Sequence, residues 1–186
     1  MKISDNFSPY AKKRALLASL GFSFWAFIVF LFSHLDWYIA LPMICFHILL
    51  LINTYFSIRV FASITPKNNF IQHFLDVLLG LCLVSLPFTF NIPLVFIAIC
   101  LFLFIIATLK YIFLLPLVGF SRLLYRKIKI DTLGIFLCFL ALVFVGLGFV
   151  YITSIIFTLI FLLANIYVLF HKPLYTLELH VKEFLE

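Results

Sequence analysis

Polar side chains are so sparse in the apolar stretches of this sequence that each can be asked what chemistry it would do. Asp76 is the acidic residue set well inside such a stretch. An unpartnered carboxylate is costly in hydrocarbon, so it is expected to be paired, protonated or exposed to water. Lys110 is the expected partner. On an antiparallel neighbour the two would lie within about one helical turn of the same depth, a difference that a lysine stem can span. If the chain moves protons or cations, Asp76 is the residue expected to carry them.

Two further stretches share a pattern. Asn53, Tyr55 and Arg59 have the same offsets as Asn165, Tyr167 and His171, and Thr108, Lys110 and Tyr111 form a looser third copy. Amides bonding between helices and tyrosines anchored at an interface would explain them structurally. A polar cluster at the mouth of a substrate or ion site would explain them functionally. His47 falls near the middle of its apolar run and is expected as a hydrogen-bonded interior residue, with a place in such a site as the alternative. Cys45, Cys82, Cys100 and Cys138 all fall within apolar runs and form no C-x-x-C pair. They are read as small apolar fillers rather than as a metal or redox centre. No nucleophile turn, phosphate loop, zinc helix or paired intramembrane aspartates is visible. Catalytic residues, a metal and a cofactor are therefore not expected.

The elements that position these residues follow from hydropathy. The chain is 66% hydrophobic and 11% charged, with a mean hydropathy of +1.28. A soluble domain cannot shield that much apolar surface, and a bilayer requires each backbone polar group to be satisfied internally. Long apolar runs without alternation select helices over a barrel. The expected fold is an all-α integral membrane protein, six transmembrane helices arranged as three antiparallel hairpins. Its clearest unit is 132–170, which holds no charged side chain. As one helix it would run roughly 58 Å, twice a hydrocarbon core, so it must turn, and Gly146 and Gly148 mark where.

The expected spans are about 15–33, 37–59, 70–90, 92–110, 132–148 and 151–170, together making a 15–171 domain. A basic cytoplasmic loop, 111–131, separates the fourth and fifth. An N-terminal tail, 1–14, precedes the spans, and an amphipathic tail, 172–186, follows them. No removable signal peptide is read, because the run after Lys12, Lys13 and Arg14 is too long for a signal core. All 13 Lys and Arg fall in the tails, the even-numbered connections or the adjoining helix ends. By the positive-inside rule, both termini are expected in the cytoplasm. The same distribution explains the net charge of +6 without a nucleic-acid partner.

Arg122, Arg126 and Lys127 in the basic loop, and Phe184 on the apolar face of the tail, are the expected contacts for partners. Those partners are the lipid bilayer and a protein or a second copy of the chain. The function first expected is a non-catalytic subunit or scaffold of a larger membrane complex. The alternative is a small transporter, or the substrate-binding membrane component of one, coupled to protons or cations through Asp76. It would draw on Lys110, Asn53, Asn165 and His47 as well.

Overall fold

Most of the helix starts have a local cause. The Asp36 carboxylate accepts a hydrogen bond from the Tyr38 amide at 3.1 Å, and the Asn69 side chain accepts one from the Gln72 amide at 3.1 Å. Each satisfies an amide that the first turn leaves without a partner. Pro93 takes the first helical position of its element, where it has no amide hydrogen to lose. Before the last helix the chain reverses at Gly148, whose φ of +93° is open to glycine and strained for other residues.

The computed structural model describes residues 9–66, 69–118 and 122–171. Six α-helices follow in order: α1 (Pro9–Phe32), α2 (Trp37–Ile64), α3 (Phe70–Ser85), α4 (Pro93–Val118), α5 (Arg122–Gly146) and α6 (Val150–Ile166). A 3-10 turn, Leu86–Thr89, extends α3 through Pro87, and a π turn, Tyr167–His171, extends α6. No strand occurs among the described residues. By length and composition, all six helices qualify to cross a membrane, which gives the chain the features of a multi-pass membrane protein. Large apolar side chains such as Phe32, Leu133 and Phe170 cover the outside, where lipid would solvate them.

The fourth and fifth helices are longer than expected. Residues 111–118 continue α4 through Pro116, and Arg122 to Asp131 form the first turns of α5 rather than a loop. The reason is a shared packing stripe. On α4 the buried positions Ile97, Cys100, Phe104, Ala107, Tyr111 and Leu114 alternate in steps of three and four. On α5 the buried Lys127, Asp131, Cys138, Ala141 and Val145 fit the same rhythm, with Gly134 supplying the step between 131 and 138. Steps of three and four keep one side of a helix facing a neighbour over several turns. These two helices form the most extensive helix contact in the bundle.

The interior has two apolar clusters. The larger is centred on Phe46, whose ring stacks on Phe157 at 4.6 Å and Phe161 at 4.2 Å and meets Phe96 edge-on at 5.7 Å. The smaller gathers Phe61, Tyr111, Leu114 and Leu124 with their neighbours. Polar ties add register. Trp25 Nε1 donates to the Val84 carbonyl at 3.0 Å, joining α1 to α3. Around the helix connections, Asn91 donates to the His34 carbonyl at 2.7 Å and accepts from the Asp36 amide at 3.1 Å, while Tyr38 and Tyr151 stack at 3.9 Å.

Thr158 Oγ1 donates to the Pro42 carbonyl at 2.9 Å, linking α6 to α2. Thr158→Val keeps the shape and removes this bond. The expected cost is about 0.6–1.7 kcal/mol, the range for hydrogen bonds between helices in lipid. Equilibrium unfolding in mixed micelles measures it, and an unchanged midpoint would show that the contact contributes nothing.

Candidate functional site: a charged cavity between five helices

The two apolar clusters do not fill the interior completely. Between them α1, α2, α3, α4 and α5 leave a cavity of about 220 Å³. Its walls change character along their length. Phe22, Leu50, Leu83, Leu103 and Phe104 form an apolar part, and Leu50, Leu103 and Phe104 stand near the midpoints of their helices. Arg14 and Thr65 line the part close to the start of α1 and the end of α2, with Asp76 from the second turn of α3 and Lys110 about two turns before the end of α4 beside them.

Three helices meet at Asp76. Lys110 Nζ, from α4, donates to its Oδ1, and the Arg14 guanidinium, from α1, lies 3.5 Å from its Oδ2. Side-chain exposure falls from 43% at Arg14 through 29% at Asp76 to 12% at Lys110, so Arg14 marks the rim. Gln72, fully buried on α3, donates its Nε2 to the Lys110 carbonyl at 3.2 Å and holds α3 against α4 beside the pair.

A second ion pair lies in the opposite wall. Lys127 Nζ donates to Asp131 Oδ1 at 2.7 Å, with side-chain exposures of 4% and 1%. The two residues are one helical turn apart on α5, a spacing that lets opposite charges meet on one face. The Lys127 ammonium lies 5.7 Å from the centre of the Tyr111 ring, and the Tyr111 hydroxyl is 2.7 Å from Ser57 Oγ. Asp131 Oδ2 is buried with no hydrogen-bond partner among the described residues.

The site therefore brings together Asp76, Lys110 and Asn53 of the residues anticipated from sequence. His47 and Asn165 stand elsewhere. His47 is buried with its ring edge 5.7 Å from Phe90, and neither ring nitrogen has a hydrogen-bond partner among the described residues, contrary to the hydrogen-bonded interior role expected for it. Asn165 turns its amide back on its own helix and donates to the Phe161 carbonyl at 2.8 Å. Asn53 and Asn165 thus occupy different environments despite their matching sequence context. Lys127, expected as a surface contact, is turned inward because its position belongs to the buried stripe of α5. Arg122 is exposed and Arg126 half-buried, while Phe184 lies outside the described residues. All four cysteines are free. Cys100 and Cys138 fill the larger core and Cys45 faces outward.

Tyr111 joins the site as the looser third copy of the polar pattern allowed, whereas Arg14, Ser57, Lys127 and Asp131 are not anticipated from sequence as parts of it. For Lys127 and Asp131 a signal exists, since counting back from Val145 in steps of three and four reaches both. Tyr111 likewise falls on the buried stripe of α4, whereas Ser57 carries no such signal, because a helical serine can bond its own turn.

The chain matches no protein-family model, no curated protein and no solved structure. Its chemistry is read from its own geometry. The cavity wall carries three cations and two carboxylates, each carboxylate bound to a cation, with hydroxyls and an amide between them and an apolar part toward the bundle centre. Such a surface can bind and orient a small polar molecule.

Proposed function

We propose that this chain is a small carrier, or the substrate-binding membrane component of one, that takes a solute into the cavity between α1 and α5. In this reading the six helices cross the bilayer as three antiparallel hairpins with both termini in the cytoplasm, and the cavity opens to the cytoplasmic side. The observation that carries it is a charged cavity running from the exposed Arg14 toward apolar side chains at helix midpoints. A binding site near the bilayer midplane is what a carrier requires. A subunit that serves only as scaffold can be packed solid, so the cavity favours the carrier reading over the subunit. The Asn91 and Tyr38–Tyr151 ties support a closed opposite end, and the basic residues around the cavity support the orientation.

Ser57 is the position that tests it, because it lines the cavity. A Ser57→Cys variant is expected to react with a membrane-impermeant methanethiosulfonate in inside-out vesicles, above the background of the wild-type cysteines. Reaction in right-side-out vesicles as well would report alternating access. Folded protein that reacts from neither side would mean the cavity is closed to water, and the carrier reading would fall.

A further inference from the structure

The donors and acceptors around the cavity are not evenly spent. Asp76 at the rim has both oxygens engaged, Oδ1 by Lys110 and Oδ2 by Arg14, while the acceptors without a hydrogen-bond partner among the described residues, Asp131 Oδ2 and Gln72 Oε1, are buried away from the rim opening. The two cations at the rim, Arg14 and Lys110, are in the opposite condition. Arg14 carries five N–H donors in a planar fork, and its one ion pair among the described residues is the 3.5 Å approach to Asp76. Lys110 carries three, one of them used on Asp76. What the rim lacks is therefore an acceptor. A guanidinium with spare donors beside an ammonium matches the two oxygens of a carboxylate or the oxygens of a phosphate.

The rest of the cavity restricts what is attached to that anion. Beyond Lys110 the walls become Phe22, Leu83, Leu103 and Phe104, with Gly80 on α3 leaving side-chain space. A Cβ built at Gly80 would come no closer than 3.8 Å to another side chain, that of Phe22. Apolar surface of this kind is satisfied by hydrocarbon and gains nothing from a second polar group.

We propose that the cavity binds an anionic amphiphile, with a carboxylate or phosphate between Arg14 and Lys110 and a short apolar body against Phe22, Leu83 and Phe104. This rests on the carrier reading and names its class of substrate. Two sources share that chemistry, a soluble organic acid and the headgroup of an anionic lipid. The test separates them.

The full chain is placed in phosphatidylcholine nanodiscs and titrated with hexanoate, hexanol and hexylammonium, which share a tail and differ in charge. Empty discs serve as the control, and saturable thermal stabilisation is the readout. Hexanoate is expected to stabilise the protein saturably, and Arg14→Gln to weaken it about tenfold, the loss that follows removal of one charge-assisted contact. Gly80→Leu is expected to abolish the effect by filling the apolar part. Repeating the titration with phosphatidylglycerol in the discs identifies the source: competition with hexanoate assigns the site to the lipid, and its absence to the soluble acid. Either outcome supports an anion. Hexanol or hexylammonium binding as tightly as hexanoate, with Gly80→Leu still abolishing it, overturns the anion assignment while the cavity reading stands. Failure of all three probes to saturate overturns both.

Discussion

Replacing Lys127 by methionine is expected to lower the unfolding free energy by about 3–5 kcal/mol, because it leaves the Asp131 carboxylate buried without its counter-charge. Both side chains are almost fully enclosed, and Asp131 Oδ2 has no other hydrogen-bond partner among the described residues to share the loss. Asp131→Leu alone should also destabilise, because the buried Lys127 ammonium loses its carboxylate. The double variant is the informative one. With both charges gone, the wall becomes continuous with the apolar stripe of α5, and most of the stability is expected to return. Equilibrium unfolding of the four proteins in mixed micelles gives the coupling energy. A loss below about 1 kcal/mol in Lys127→Met would show that water reaches the pair and that the enclosure described above is wrong. The pair at the rim should behave differently. Arg14→Gln removes a partly exposed contact whose carboxylate keeps Lys110, so its effect on stability is expected to stay within about 1 kcal/mol.

Gly134→Ala is expected to cost about 1–3 kcal/mol, the usual penalty for adding a carbon to a packed core. A Cβ at this position would stand 2.9–3.1 Å from three ring atoms of Phe104, and the ring itself is held against Phe161 at 6.1 Å. The methyl group thus cannot enter without displacing an aromatic ring that also lines the cavity. Gly21→Ala serves as the control. Nothing lies within 4 Å of a Cβ there, so the change is expected to be neutral or to stabilise by up to about 1 kcal/mol through helix propensity. Phe104→Leu should relieve part of the Gly134→Ala penalty, visible as a coupling between the two sites. Additivity would mean that the ring moves aside freely, and that α4 and α5 do not owe their closeness to glycine.

The fifth helix also shows where the sequence is readable and where it is not. The helical run of 132–170 and its turn at glycine follow from hydropathy, because a bilayer accepts few ways to place an uncharged stretch of that length. The same reasoning misplaces the start of α5. Arg122, Arg126, Lys127, Lys129 and Asp131 form a dense group of charges, and charge density reads as contact with water. Within a helix, however, alternate faces can meet water and protein. Lys127 and Asp131 fall on the inner one and cancel each other's charge there. Asp76 and Lys110 were easier to match, since depth within an apolar run is a property of sequence position.

From the residue order alone came the helical class, the count of six long apolar segments and the meeting of Asp76 with Lys110, because each depends on hydropathy, helical rise and the cost of an isolated charge. The cavity is a property of packing. It lies among side chains of both apolar clusters, and Gly80 in its wall leaves side-chain space that no pattern along the chain assigns to a particular neighbour. Whether a polar residue faces that space or its own helix, as Asn53 and Asn165 respectively do, depends on the rotation of each helix against its neighbours, and only the assembled bundle sets that rotation.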